Sequence, residues 1–494
     1  MKKRSSGVLL HISSLPGKYG IGDFGQKAYK FVRLLAGSGT KYWQILPLGV
    51  TGFGDSPYQS FSAFAGNPYF IDLDELIERG WLSEEEAAGA DLGDDAEKVD
   101  YSKLYLHKMP LFEAAYRRAE KELGSELEAF LARHSYWLHD FALYMAIKKA
   151  HGGDSWMEWP DKYRLRESAA LDAFYVEHKY EFFFWVFTQY LFFGQWERLR
   201  KYANERGIRI MGDIPIYVAE DGADIWSQPE LYKLDGDLKP VVVAGVPPDM
   251  MSATGQLWGN PIYDWDAMAG DGYRWWIRRI EESFNLYDTV RIDHFRGFES
   301  YWEIPAGDPT AENGNWVKGP GMDLFNAVKD ALGERDIVAE DLGFLTDEVY
   351  KLIEDTGYPG MKILQFGFDS AEDSEYLPHN YSRHTIAYTG NHDTQTMRGW
   401  LESAEGKTYE KAAAYLNLTE EEGPTDGCIR GVFASHSYLS IIPMQDLLGT
   451  GDETRFNIPS TIGGNWEWRM TEDALKKRTL KKLKQLNRLY GRSL

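Results

Sequence analysis

The sequence predicts an α/β fold, a (β/α)8 TIM barrel with a large, mainly helical insertion after strand 2 and further insertions over the barrel mouth. Two observations predict this fold. Eight short apolar or alternating runs, each bounded by polar, Gly or Pro residues, alternate with helical patterns along the 494 residues. Charged residues gather at the C-terminal ends of these runs, where a barrel of parallel strands has its open mouth. An open doubly wound sheet is the alternative, although no GxGxxG motif follows any run.

The runs and the segments between them define the expected organisation of one unit, residues 1–494. Apolar residues at three- and four-residue spacing predict a mainly helical insertion subdomain at 50–200. A second, loop-rich insertion at 219–285 contains Gly, Pro and Trp throughout and is expected to cover one side of the mouth. The eight runs themselves are 7–13, 42–48, 208–218, 289–295, 336–342, 361–367, 384–390 and 439–448.

Charge and cysteine content exclude several classes of partner. The chain has 54 Lys and Arg against 76 Asp and Glu, a formal net charge of −22. That charge repels phosphate backbones and anionic lipids, so we expect neither a nucleic acid nor a membrane as a partner. Cys428 is the single cysteine, and the apolar run Val8–Leu10 is too short for a secretory signal. The sequence therefore predicts a cytoplasmic protein without a disulfide framework.

The fourth run, TVRIDHF at 289–295, carries charge at its end. Because side chains alternate along a strand, Arg291 and Asp293 are expected on one face and Val290 and Ile292 on the other. An arginine beside a carboxylate is expected to lower the pKa of Asp293 and keep it ionised, as a nucleophile requires. Alternatively, Asp293 is only a structural partner for Arg291. Asp213 holds a similar place in the third run, where structural hydrogen bonding and substrate contact fit the pattern equally well.

Two further runs end in acids. Glu340 follows apolar residues, and these surroundings are expected to raise its pKa so that it carries a proton at neutral pH. Its neighbour Asp341 is the alternative candidate for the catalytic acid. An ionised carboxylate and a protonated acid roughly 5–5.5 Å apart form the site of a retaining glycosidase. Asp393, beside His392, is expected to bind sugar hydroxyls, unless the two residues merely cap the next helix. No HExxH-like spacing occurs, and we expect neither a metal nor a cofactor.

Several long stretches together resemble one family. They are GVLLHISSLPGKYGIGDFG, YWQILPLGVTGFGDSPYQSFSAFAGNPYFIDL, GDIPIYVAEDGADIW, GVPPDMMSATGQLWGNPIYDW, VRIDHFRGF, VAEDLG and GNWEWR. The sequence resembles, over nearly its whole length, the 4-α-glucanotransferases of the amylomaltase type, glycoside hydrolase family 77 of the α-amylase clan. This resemblance implies a TIM barrel enzyme that needs no metal or cofactor.

The resemblance also implies roles for the three acids. Asp293 would be the nucleophile that forms a glycosyl ester, Glu340 the general acid and then base, and Asp393 the stabilising third acid. The chain reads GNHDTQT at 390–396 where the family more often has GTHDNDT. His392 and Asp393 are retained, but the hydrogen bonding around Asp393 is expected to differ.

Substrate contacts follow from the same resemblance. Arg291 and His392 would flank the reacting sugar, and Tyr58 would stack on it. The long loop of the second insertion would line the acceptor side through Asp249, Gln256 and Trp258. Ser56 and Asn465 would contact the donor side.

The resemblance implies an activity as well. The enzyme would transfer segments of an α-1,4-glucan donor to the 4-hydroxyl of glucose or a maltooligosaccharide acceptor, by a double displacement that retains configuration. Two alternatives stay open. An α-amylase-type hydrolase would differ only in its acceptor side, and a non-catalytic glucan-binding protein would have no need of three acids at three strand ends.

Overall fold

The computed structural model describes residues 3–52, 54–249, 252–343, 345–368, 374–475 and 477–493. In these residues the chain forms twelve strands. They are β1 (Ser5–Leu9), β2 (Tyr42–Gln44), β3 (Arg209–Ile214), β4 (Val242–Val246), β5 (Gln256–Pro261), β6 (Thr289–Ile292), β7 (Ser300–Pro305), β8 (Asn315–Lys318), β9 (Ile337–Ala339), β10 (Gly360–Ile363), β11 (Thr385–Tyr388) and β12 (Leu439–Pro443).

Eight of the strands form one parallel sheet, in the order β10-β11-β12-β1-β2-β3-β6-β9. Each of them overlaps one of the eight predicted runs. The backbone N–H of Ala339, at the end of β9, donates to the carbonyl of Pro359, next to β10, over 3.0 Å. The first and last strands of the sheet are therefore neighbours, and the prediction of a (β/α)8 barrel is confirmed.

Helices surround the barrel and fill its insertions. They are α1 (Gln26–Ser38), α2 (Leu73–Glu78), α3 (Glu84–Gly89), α4 (Tyr101–Lys103), α5 (Met109–Arg133), α6 (Leu138–Ala150), α7 (Asp161–Arg164), α8 (Ser168–Glu177), α9 (Lys179–Asn204), α10 (Ala223–Ser227), α11 (Trp265–Gly270), α12 (Arg274–Leu286), α13 (Met322–Leu332), α14 (Asp347–Thr356), α15 (Met397–Ser403), α16 (Lys407–Leu416), α17 (Pro424–Ala434), α18 (Met444–Leu448) and α19 (Lys477–Leu489). No helix in the described part of the chain is both long and apolar enough to cross a bilayer.

The helical insertion shares one helix with the barrel. Between β2 and β3, helices α2 to α8 follow one another, and α5 and α6 pack on α9. The same helix α9 also packs on β3 and α1, because its apolar, mostly aromatic residues Phe182–Phe187 are buried around much of its circumference. Helix α9 thus belongs to the barrel layer although it begins inside the range predicted for the insertion.

A small antiparallel sheet covers part of the mouth. Its strand order is β5-β4-β7-β8, so it combines two strands of the second insertion with two strands that follow β6. Helix α12, within the range predicted for that insertion, packs on β3 and β6 and is a barrel helix. The second insertion therefore supplies strands as well as loops, and it reaches the mouth beside the end of β6.

The apolar residues divide into two main layers. Side chains such as Leu9, Met211 and Val338 fill the interior of the barrel. Val290 and Ile292 pack instead in the larger core between strands and helices. Because side chains alternate along β6, Arg291 points into the barrel, as its spacing predicted.

Candidate active site

Arg291 lies at the centre of a group of charged side chains inside the barrel. Strands β3 and β6 are hydrogen-bonded neighbours in a register that pairs Asp213 with Arg291. The Nη1 atom of Arg291 donates to both carboxylate oxygens of Asp213, at 2.8 and 2.6 Å. Its Nη2 atom lies 2.8 Å from Oδ1 of Asp293. One guanidinium, 2% exposed, therefore joins two carboxylates from adjacent strands.

Asp213 is a structural partner in this group. Its side chain is fully buried, and besides Arg291 it accepts a hydrogen bond from the Tyr58 hydroxyl over 2.8 Å. These bonds fit the structural role that the sequence left open for Asp213. Its contact with substrate stays a prediction.

Asp293 keeps part of its side chain open to the mouth, at 29% exposure. Burial raises the pKa of Asp293; Arg291 opposes this rise, whereas the nearby Asp213 carboxylate adds to it. The expectation that Arg291 would lower the pKa of Asp293 is thus wrong in its net direction. The physical reason is that the single guanidinium is shared with Asp213, while burial disfavours the anion.

Glu340 follows β9 directly, and among the described residues backbone N–H groups bond its carboxylate. Its Oε2 accepts the N–H of His294 and its Oε1 accepts the N–H of Leu342, both over 2.7 Å. Burial and the Asp293 carboxylate raise the pKa of Glu340 to about 7. The direction agrees with the expectation from its apolar neighbours. At neutral pH this carboxyl is poised between its protonated and ionised forms.

Asp341, the alternative to Glu340, faces a different part of the fold. Its Oδ1 accepts the Met361 N–H over 2.6 Å, and a Cβ added to Gly360 would lie 2.2 Å from its Oδ2. Its side chain therefore packs tightly on β10, away from the mouth. The geometry favours Glu340 as the carboxyl that is available for chemistry.

Asp393 and His392 form a bonded pair. Oδ2 of Asp393 lies 3.0 Å from Nε2 of His392, and its Oδ1 accepts a hydrogen bond from Asn457 Nδ2 over 2.7 Å. Burial acts to raise the pKa of Asp393, but His392 and Asn457 outweigh it and lower the pKa to about 2. Burial acts to lower the pKa of His392, and Asp393 outweighs it in turn and leaves that pKa raised. Asp393 is thus an anion paired with a histidine.

The departure from the family pattern around Asp393 has a local explanation. Asn391 Oδ1 accepts the backbone N–H groups of Asp393 and Thr394, at 2.9 and 3.1 Å. The amide of Gln395 donates to Asp452 over 2.7 Å. The N-cap of α15 is Thr396, so neither His392 nor Asp393 serves as the cap of the next helix. The capping alternative is therefore wrong.

Three residues of this site were missed by sequence reasoning. Asn457 bonds the Asp393 carboxylate, and Arg455 Nη2 donates to the Asp393 carbonyl over 2.5 Å. Trp466 packs near the Tyr58 and His392 rings, with centroids 5.8 and 6.1 Å away. All three lie in or beside one loop, which is closed by a 2.6 Å hydrogen bond from the Trp466 N–H to the Phe456 carbonyl. The motif GNWEWR is the only sequence signal near them.

Tyr58 and Ser56 belong to the loop after β2. The Tyr58 ring stacks on His392 with a centroid distance of 5.1 Å and an interplanar angle of 19°. The Ser56 hydroxyl accepts the Tyr58 N–H over 3.3 Å. Tyr58 is thereby fixed between Asp213 and His392, beside the three acids, while Ser56 shapes the turn that carries it.

Asn465 does not present free polar atoms to a substrate. Its Oδ1 accepts the Ile458 N–H over 2.9 Å, and its Nδ2 donates to the carbonyl and hydroxyl of Thr461 at 3.1 and 3.0 Å. Its side chain is 7% exposed. In this structure the amide holds its own loop together, and the donor-side contact expected of Asn465 stays a prediction.

Of the residues expected on the acceptor side, Trp258 is linked to Glu340 through His294. Trp258 lies edge to face with the His294 ring, with a centroid distance of 4.7 Å, and its Nε1 donates to Gln256 Oε1 over 3.2 Å. Asp249 lies in an exposed turn, where its Oδ1 accepts the Ser252 N–H over 2.8 Å. Met250 and Met251 lie outside the described residues. Trp258 therefore contacts the residue whose backbone N–H bonds Glu340, and its acceptor-side role stays a prediction.

An eight-stranded parallel barrel with acids of different pKa at its C-terminal mouth is typical of enzymes that act on glycosidic bonds. The family model described as 4-alpha-glucanotransferase, glycoside hydrolase family 77, matches residues 10–476. The chain belongs to this family, as its resemblance predicted.

Relatives that match over the full length of the chain support the same family. The chain is 53% identical to the 4-alpha-glucanotransferase of Streptococcus pneumoniae serotype 4, covering 100% of this chain and 98% of that one. It is 48% identical to the Clostridium butyricum 4-alpha-glucanotransferase, covering 98% and 100%. The solved amylomaltase from Streptococcus agalactiae in complex with acarbose superposes with a TM-score of 0.97, at 44% identity and full coverage of both chains. The predicted fold and enzyme class are confirmed.

Proposed function

We propose that Asp293, Glu340 and Asp393 carry out the glucan transfer for which the family is named, by a double displacement. The observation that carries this proposal is the unequal support of two acids. Asp293 is bonded to the Arg291 guanidinium, whereas Glu340 accepts two backbone N–H groups and has a pKa of about 7. Since a cation stabilises the ionised form, Asp293 is the anion of the pair and Glu340 carries the proton.

In the first step Glu340 protonates the oxygen of an α-1,4 linkage while Asp293 attacks the anomeric carbon from the opposite face. The glycosidic carbon–oxygen bond breaks, and an ester between the glucan and Asp293 forms. The fragment on the reducing side leaves with the proton as a free 4-hydroxyl. Asp393, held as an anion, accepts hydrogen bonds from hydroxyls of the distorted sugar.

In the second step the ionised Glu340 takes the proton from the 4-hydroxyl of an acceptor sugar. The acceptor oxygen attacks the anomeric carbon, the ester breaks and Asp293 is released as a carboxylate. Two inversions restore the α configuration. A water molecule in place of the acceptor would give hydrolysis, so the outcome depends on how the acceptor side orients a sugar and excludes solvent.

The substrates follow from this cycle. The donor is an α-1,4-glucan, and the acceptor is glucose or a maltooligosaccharide. That an amylomaltase of the same fold was solved with acarbose supports a sugar-binding cleft at this mouth. A cytoplasmic location stays a prediction; it is supported by the buried, unpaired Cys428, which suits a reducing compartment.

Incubation with maltotriose tests the proposal. Chromatography is expected to resolve glucose and a ladder of longer maltodextrins. Glucose and maltose alone would instead indicate a hydrolase, and unchanged maltotriose a binding protein. Glu340→Gln is expected to abolish turnover, while the matched control Asp341→Asn keeps an acceptor for the Met361 N–H and retains transfer. An active Glu340→Gln enzyme would contradict the acid/base assignment.

A further inference from the structure

His294 has a backbone conformation that needs an explanation. It directly follows Asp293 and precedes the 3-10 helix Phe295–Phe298, with φ of 50° and ψ of 48°. Residues other than glycine avoid this left-handed region because Cβ comes too close to the carbonyl oxygen. The strain lies at the junction between the nucleophile strand and the helix that follows, and strain of this kind concentrates at functional sites.

The left-handed turn gives the backbone of His294 a direct contact with the acid/base. Its N–H donates to Oε2 of Glu340 over 2.7 Å, and the N–H of the next residue, Phe295, donates to the Glu340 carbonyl over 3.2 Å. Leu342 supplies the only other described hydrogen bond to this carboxylate. One of the two described hydrogen bonds to the Glu340 carboxylate therefore depends on the backbone conformation of residue 294.

The side chain of His294 contacts the acceptor side. Its ring lies at 86° to the Trp258 ring, with a centroid distance of 4.7 Å. Behind it, a Cβ added to Gly297 would lie 3.2 Å from Cδ2 of the ring, so the imidazole is held closely between Gly297 and Trp258. Among the described residues Nε2 is buried and has no hydrogen-bond partner. An apolar side chain would fill the same space without this unpaired nitrogen.

The charge state of His294 also suits its position. Burial and the neighbouring Arg296 lower the pKa of His294 to about 3, so the ring is neutral at working pH. A neutral ring packs against the indole of Trp258 without the cost of burying a charge.

We propose that His294 is a positioning residue that couples the acid/base to the acceptor site and favours transfer over hydrolysis. Its left-handed backbone aims an N–H at Glu340, and its neutral ring holds Trp258 as the wall on which the acceptor sugar packs in place of water. The two tasks belong to different parts of one residue and can be separated by substitution. The inference rests on the proposed roles of Glu340 and Trp258.

The first variant, His294→Asn, removes the ring but suits the left-handed conformation and keeps the N–H. The readouts are the transfer-to-hydrolysis ratio with maltotriose, the KM for glucose as acceptor and the pH profile of donor cleavage. We expect about a tenfold lower ratio and a raised acceptor KM, with the alkaline limb of the profile unmoved. Trp258→Leu is expected to change the ratio in the same direction, and the double variant should add little to either single change.

The second variant, His294→Val, tests the backbone. A β-branched residue disfavours the left-handed conformation, so the N–H leaves Glu340 and the alkaline limb is expected to move to higher pH. Thermal unfolding of each variant checks that it is folded. Rescue of the wild-type profile by His294→Gly, which adopts this conformation freely, would distinguish the backbone effect from loss of packing.

The inference is overturned if His294→Asn leaves the transfer-to-hydrolysis ratio and the acceptor KM at wild-type values. It is also overturned if Asn and Val substitutions shift the pH profile equally. Failure of the proposed function would look different, because the wild-type protein itself would then make no longer maltodextrins from maltotriose.

Discussion

The two sides of the active site hold their carboxylates by different means. On the nucleophile side, a chain of side-chain bonds runs from Tyr58, in the loop after β2, through the buried Asp213 and Arg291 to Asp293. On the acid/base side, Glu340 is held by two backbone N–H groups, and no cationic side chain among the described residues bonds it. A cation fixes the charge of one acid, whereas amide donors fix the position of the other and leave its proton mobile. The difference suits a nucleophile and a general acid.

Replacing Arg291 is expected to have the largest effect, and this effect falls on the nucleophile side. Arg291→Met would leave the fully buried Asp213 without its partner, and the loss of stability is expected to reach about 3–5 kcal/mol in urea unfolding, with loss of activity. Adding Asp213→Asn should recover much of the stability but none of the activity. Arg398→Met, which breaks an exposed pair with Glu402, serves as the control and should cost less than about 1 kcal/mol. Equal costs for Arg291→Met and the control would contradict the buried network.

The pH dependence of the free energy of unfolding tests the raised pKa of Glu340 on the acid/base side. The pKa of Glu340 is raised in the folded state, so the proton stabilises the fold at low pH and this contribution is lost as pH rises through about 7. Glu340→Gln has no charge to bury. Its free energy of unfolding, relative to wild type, is therefore expected to rise by roughly 3 kcal/mol between about pH 4 and pH 8.

Denaturant unfolding at several pH values measures this difference. A difference in the free energy of unfolding that is the same at every pH comes from the hydrogen bonds that glutamine changes. It does not alter how this difference depends on pH. The exposed Glu85→Gln variant, measured in the same way, is the control for a glutamate replaced outside the site. A flat difference for Glu340→Gln would mean that its carboxyl titrates as an ordinary surface glutamate does.

The smallest expected effect concerns Asp393, which lies beside the nucleophile but is supported from a distant loop. Asn457→Ala removes the 2.7 Å hydrogen bond to Oδ1, so the pKa of Asp393 should rise from about 2 and kcat/KM for maltotriose should fall about tenfold, most strongly at acid pH. Asn457→Asp places a second acid there and should have the larger effect. A pH profile unchanged in both variants would contradict the claim that Asn457 lowers the pKa of Asp393.

Local patterns predicted the strands and the three acids, because a buried run with a charged C-terminal end is visible in the sequence itself. The support of Asp393 by Asn457 was not predictable, since 64 positions separate the two residues and the folding of the loop between Phe456 and Trp466 brings them together. The pKa of Asp293 was predicted in the wrong direction because its value depends on how many acids share Arg291. The hydrogen bonds of the Asn465 amide were not predictable either, because they depend on how its own loop folds.

The most direct test of the account is to trap the glycosyl ester. Glu340→Gln incubated with α-maltotriosyl fluoride should form the ester, because fluoride leaves without a proton, and should then fail to release it, because no base activates an acceptor. Peptide mass spectrometry at low pH is expected to find the added maltotriosyl group on Asp293. A label on Asp341 or Asp393, or unlabelled protein after fluoride has been released, would contradict the assignment of Asp293 as the nucleophile.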